Sequence, residues 1–212
     1  MWPLLGVLLL AGAAAPVEVP ALQKEVATDG RIEASEWAGA REVQADGLRV
    51  RLGRRGDVLA VAVELAGDGI SSLLVGAGDR VWVLHASAAI GTGEYRCAAD
   101  GACTRTRQFD YRCRDPSDAP AAVRCRSEFR SADGWVANVE PSANRTREFL
   151  IDLRRFGAAG TPLTLAVTGL VLPDQARSWP AGKDDAGSVK LQQGYLEERM
   201  RFTPRKWFMI ER

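Results

Sequence analysis

The chain has 212 residues, 46% of them hydrophobic and 26% charged, with 28 Lys and Arg against 27 Asp and Glu. That apolar content excludes a disordered chain, and a formal net charge of +1 lacks the basic excess of a nucleic-acid binder. Only one long apolar run is present, at the start, which excludes a polytopic membrane protein and leaves a globular chain long enough for one domain with its own core.

Residues 1–21, MWPLLGVLLLAGAAAPVEVPA, read as a signal peptide. The stretch 4–15 is apolar and uncharged. It is shorter than the roughly 20 residues of a spanning helix and has the length of a secretory core. Small residues at Ala11-Gly12-Ala13 and at Val19-Pro20-Ala21 offer cleavage sites, although no basic residue precedes the run. The expected mature protein is therefore one domain over 22–212, periplasmic or secreted, with no stable membrane anchor after cleavage. The competing reading is an uncleaved anchor or a buried helix.

The domain opens with Asp29-Gly30-Arg31-Ile32-Glu33-Ala34-Ser35-Glu36-Trp37-Ala38-Gly39-Ala40, in which Gly30 permits a turn and Ile32 and Trp37 face inward. From there the pattern is mostly period two. Leu48-Arg49-Val50-Arg51-Leu52 alternates strictly, as a half-buried strand does. A turn at 54–57 leads to a second strand with Leu59, Val61, Val63 and Leu65 on one face. Leu73-Leu74-Val75 and Val81-Trp82-Val83-Leu84, joined by Gly76-Ala77-Gly78-Asp79, predict a β-hairpin.

Four cysteines follow, at 97, 103, 113 and 125. An even count after a signal peptide predicts two disulfides. Three connectivities are open, and the local pairing of Cys97 with Cys103 and Cys113 with Cys125 requires the least chain rearrangement. Spacings of five, nine and eleven intervening residues do not resemble the paired knuckles of a four-thiolate zinc site, so no metal is expected. The Arg-rich stretch between the cysteines reads as a solvated, disulfide-pinned loop or hairpin.

Further strands are expected at 134–139, at 148–153, at 163–172, and at 200–210 with Pro204 as a break. The helix candidates are short, at 34–40, 154–156 and 195–199, and 180–188 reads as a polar loop. Many short strands between turn residues predict an all-β fold, a jelly-roll-like β-sandwich with short helical turns.

The opening string resembles the start of the family-nine carbohydrate-binding modules and their DOMON-like relatives, which begin with Asp-Gly, an aliphatic, an acidic residue, then a Trp and a small residue. Asp29, Gly30, Ile32, Glu33, Trp37 and Ala40 match. The strand pair from Leu48 to Leu65 and the string Glu148-Phe149-Leu150-Ile151 are also similar to that family. Asp152 stands where the family usually has Pro, and the cysteine-rich middle lies outside the resemblance. The resemblance implies a jelly-roll-like sandwich and, in its best-known members, sugar binding; some related sandwiches bind haem.

Sugar recognition needs an exposed aromatic face against the C–H face of a pyranose, with polar groups for its hydroxyls. Trp179, in the polar string Arg177-Ser178-Trp179-Pro180, and Tyr111 are the leading candidates. Tyr95 and Trp82 complete the candidate ligand-binding set, against the simpler reading that large aromatics fill cores. A haem would require His85, the only histidine, with Met200 or Met209, and no Cys-x-x-Cys-His string is present. A Ser-His-Asp hydrolase would also need His85, and no Gly-x-Ser-x-Gly elbow occurs. The expectation is thus a non-catalytic, cofactor-free binding module whose partner is a saccharide or cell-envelope glycan, not a nucleic acid. The rival is a structural or interaction protein of the envelope without a small ligand. Convergence of the aromatic side chains on one concave face separates the two.

Overall fold

A computed structural model describes residues 18–211 except 46, 115–117, 143, 172–174 and 181–195. Residues 1–17 of the expected signal peptide, 181–188 of the expected polar loop and Tyr195 of the last helix candidate lie outside the described residues. The fold is all-β, a jelly-roll-like sandwich of two antiparallel sheets.

The first sheet contains β1 (Arg41–Ala45), β2 (Leu48–Arg55), β3 (Val58–Leu65), β8 (Trp135–Val139) and β9 (Thr146–Asp152), in the order β1-β2-β3-β9-β8. The second contains β4 (Gly69–Ala77), β5 (Arg80–Ala86), β6 (Ile90–Cys97), β7 (Ala102–Arg107), β10 (Leu163–Val171), β11 (Gln175–Trp179) and β12 (Arg199–Arg201), in the order β11-β10-β4-β5-β6-β7-β12. β13 (Phe208–Ile210) also pairs with β10.

The period-two pattern explains the packing. Leu48, Val50 and Leu52 of β2, Leu59, Val61 and Val63 of β3 and Phe149 and Ile151 of β9 all face the second sheet. Leu73, Val75, Trp82, Leu84, Leu163, Leu165 and Val167 meet them, so both sheets feed one continuous core. The outer face of the first sheet is covered by residues 18–40, an arm that packs Leu22, Val26 and Trp37 against that outer face. The arm is tied to β2 by Leu22 N–H donating to the Arg54 carbonyl and Arg54 N–H donating to the Pro20 carbonyl, both at 2.8 Å.

The second sheet curls into a half-barrel. Geometry requires it. The link from Arg201 to Phe208 reaches at most about 25 Å when fully extended. The flat path from β12 across β7, β6, β5, β4 and β10 to β13 is about 29 Å. The two edges must approach one another, and Phe202 and Trp207 of the link fill the hollow between them. The expected strand at 200–210 is therefore two strands on opposite edges, broken by a 3-10 turn at Pro204–Lys206.

One helix corrects the sequence reading. Pro120–Asp133 forms α1, where a solvated loop or hairpin was expected. Pro120 starts it and Gly134, at φ 77°, closes it in the left-handed conformation. Its buried face is Ala122, Arg126 and Phe129, while Val123 is exposed. An arginine at a buried position and a valine at an exposed one erase the amphipathic signal that marks a helix. Of the short helix candidates, 154–156 overlaps a 3-10 turn at Leu153–Arg155, whereas 34–40 is a run of turns and 196–199 is not helical. No helix among the described residues is long and apolar enough to cross a membrane.

Candidate functional site

The four nominated aromatics divide between the two faces of the curled sheet. Tyr95 of β6 lies on the concave face, 1% exposed, its hydroxyl donating to the Glu197 carbonyl at 2.6 Å and its ring edge-on to Phe202 at 5.2 Å. Tyr111 lies half-buried against the same face, between Phe109 at 5.2 Å and His85 at 5.6 Å. Trp82 of β5 points the other way, into the core between the sheets, edge-on to Phe156 at 5.4 Å. Trp179 of β11 also lies in that core, 5.2 Å from Phe208. Trp82 is 7% and Trp179 8% exposed, so neither indole offers a free face for stacking on a sugar. The structure brings Tyr95 and Tyr111 to one concave face and leaves Trp82 and Trp179 apart from them.

That concave face is filled from within the chain. Val81, Val83, Leu74, Ala166 and Met200 line it, and Phe109, Leu196, Phe202 and Trp207 occupy it. Phe109 and Leu196 settle over Gly93, where an added Cβ would collide with Leu196. At one end the His85 ring packs against Phe109 and Tyr111, and its Nδ1 shares a hydrogen bond with the Ser72 hydroxyl at 3.0 Å. Burial, reinforced by the charge of Arg147, pulls His85 down to about 3, so the ring is neutral. Burial also raises the Tyr111 phenol to about 12.

The register separates His85 from both methionines nominated for haem. His85 pairs with Gly91 of β6, whereas Met200 pairs with Cys103, which pairs with Cys97. The rise from Gly91 to Cys97 is about 20 Å at the strand repeat. Met209 aligns through Thr164 and Gly76 with Val81, about 13 Å along the strand from His85 and three strands away. Neither methionine can share an iron with His85.

Both disulfides are the local pairs, Cys97–Cys103 and Cys113–Cys125, and no cysteine is free. This removes the zinc reading, and among the described residues no three His, Cys, Asp or Glu side chains converge as a metal site requires. The first disulfide clasps the β6–β7 hairpin. The second ties α1 to the segment that carries Tyr111, which bridges to Ile90 through Arg112. Two disulfides fit an oxidising, extracellular type of environment.

Two ionisable residues missed by the sequence reading sit side by side on β9. Arg147 faces inward with no ion-pair partner among the described residues. Its guanidinium donates to the carbonyls of Gly69, Ala86 at 3.3 Å and Asn144 at 2.9 Å, and burial lowers it to about 10. Glu148 faces the arm. Its carboxylate accepts from Asp29 N–H at 3.1 Å, Gly30 N–H at 3.0 Å and the Trp37 indole N–H at 2.9 Å. Gly30, at φ 85°, lies so close to the Val139–Glu140 backbone that a Cβ would collide with it. Burial raises Glu148 to about 7; Trp37 and Gly30 pull it down, while Asp29 and Glu36 add to the rise. The alternation of β9 carried the clue, because Arg147 shares the face of Phe149 and Ile151. Each of these groups holds fold contacts: Glu148 fastens the arm, Arg147 joins one sheet to the other, and His85 seats the aromatic cluster.

Comparison with protein-family models, with the curated proteins and with the solved structures finds no match for this chain.

Proposed function

We propose that this chain is an exported, non-catalytic binding module that acts through its outer surface and not through an aromatic stacking platform. The observation that supports this reading is the use of the interior ionisable groups in fold contacts: Glu148 and His85 are held by internal hydrogen bonds, and Arg147 donates through Nε and Nη2 to backbone carbonyls. Such groups hold a shape and do not present a proton donor or acceptor to a substrate. The export setting rests on the apolar leader expected at the start of the chain together with two disulfides.

A saccharide or envelope glycan is the ligand class implied by the resemblance of the opening string. With Trp82, Trp179 and Tyr95 buried, the interaction reading without a small ligand at these rings is favoured. Titration calorimetry against a glycan panel, with each glycan analysed afterwards by mass spectrometry, tests the proposal. Every glycan is expected back intact, and any heat is expected to persist in Trp179→Ala and in Tyr111→Phe. Cleavage of a glycan, or heat abolished in either variant while it remains folded, contradicts it.

A further inference from the structure

We propose that the cleft between the N-terminal arm, the outer face of the first sheet and α1 binds a small amphiphilic carboxylate, an apolar body carrying one anionic head. This deepens the binding-module reading by naming a site and a ligand class. The cleft encloses about 280 Å³, close to the lower end of the range for small-molecule sites.

Its floor follows from the alternation of the strands. Val58 and Ala60 of β3 and Leu150 of β9 point away from the core between the sheets, where most sandwich strands carry polar residues. Ala60 and Leu150 are buried beneath the arm, and Val58 is left half-buried. Leu22 and Val26 form one apolar wall, held by the backbone bonds at Arg54, and Leu22 seats on Gly53. The small Ala60 side chain leaves the hollow open.

The rim is cationic. Lys24, Arg55 and Arg130 stand there against one acid, Glu25, so the lining carries a net charge of +2 in a chain whose total is +1. Arg55 reaches Glu25 at 3.6 Å, an exposed pair of little strength. Lys24 and Arg130 have no ion-pair partner among the described residues. Of the neighbouring acids, Asp133 lies 2.8 Å from Arg107, and Asp57 lies 3.7 Å and Asp152 2.8 Å from Arg154, while Glu128 forms no ion pair among the described residues. Two unneutralised cations beside an apolar floor select a ligand that combines both characters. A hydrocarbon body covers the part of Val58 that the arm leaves in water, and a carboxylate head meets Lys24 and Arg130 with charge-assisted hydrogen bonds.

Titration calorimetry with octanoate tests the site, with octan-1-ol and acetate as separate probes. Octanoate is expected to bind saturably with one site. Octanol, lacking the charge, and acetate, lacking the chain, are each expected to bind about tenfold or more weakly. The double variant Lys24→Gln/Arg130→Gln, in which both positions are exposed, is expected to weaken octanoate about tenfold, in line with the loss of two charge-assisted contacts. Ala60→Leu is expected to block binding by filling the hollow. No saturation, octanol equal to octanoate, or full binding by the double variant overturns the site and leaves the non-catalytic reading standing. Chemical conversion of octanoate during incubation overturns the non-catalytic reading instead.

Discussion

Replacing Glu148 with Ala removes the acceptor that fastens the arm to β9. Three donors lose their partner: Asp29 N–H, Gly30 N–H and the Trp37 indole N–H. Asp29 is half-buried and can turn to water, whereas the Gly30 and Trp37 bonds are buried. Two buried donors left unpaired cost about 1–3 kcal/mol each. A second effect has the opposite sign. The carboxyl stands at about 7 in the folded protein against 4.5 as its ordinary value, so the folded state binds the proton more tightly. Its contribution is complete below about 4.5 and is lost as pH rises through 7. At pH 8 the wild type carries a buried charge that Glu148→Ala does not. The variant is therefore expected to lose about 2–6 kcal/mol at pH 5 and about 2–3 kcal/mol less than that at pH 8. Urea unfolding at the two pH values measures both terms. An equal loss at pH 5 and pH 8 refutes the burial argument, and no loss at either refutes the clamp.

His85 has the reverse slope. Burial holds it at about 3, below its ordinary 6.5, so its stabilising contribution is present above 6.5 and declines as pH falls toward 3. Between about pH 6.5 and 4.5 the two slopes oppose; His85→Phe is expected to uncover a rise in stability on acidification, read by the same unfolding series. Removing the second disulfide by Cys113→Ser/Cys125→Ser releases a twelve-residue closure and is expected to cost about 3 kcal/mol, with amide exchange rising first along α1. Gly53→Val drives a side chain into Leu22 and is expected to lift the arm, exposing the Trp37 indole to quenchers while the strand content in circular dichroism stays unchanged.

The parts legible in the sequence are those with local causes. Strict alternation marks β2 and β3, and glycine-rich turns mark the β4–β5 hairpin, because side-chain facing repeats every second residue. The local pairing of cysteines followed from chain proximity. What escaped depends on distant partners. Nothing within 199–210 says that its two halves join opposite edges of one sheet; that follows only once β7 and β10 are in place. The α1 helix hid behind Arg126, which a periodicity reading counts as solvent-facing. Trp82 lies on the strand its alternation predicts, whereas Trp179, expected in a polar loop, lies on β11; alternation tells which rings share a face and not which face another layer covers. Trp82 shares its face with Leu84, and that face meets the first sheet. The pair Arg147 and Glu148 reads as two solvated charges until the arm and the Gly69 and Ala86 carbonyls arrive from far along the chain.

The account turns on aromatic side chains serving as packing. Trp37, Trp82, Trp135, Trp179 and Trp207 are all at most 8% exposed. Acrylamide quenching of tryptophan fluorescence in a Trp2→Phe background reads these five indoles together. The predicted result is weak quenching of the native protein, rising several-fold when urea unfolds it. A native component quenched as strongly as the unfolded chain contradicts the account and returns an exposed indole to the role of ligand platform.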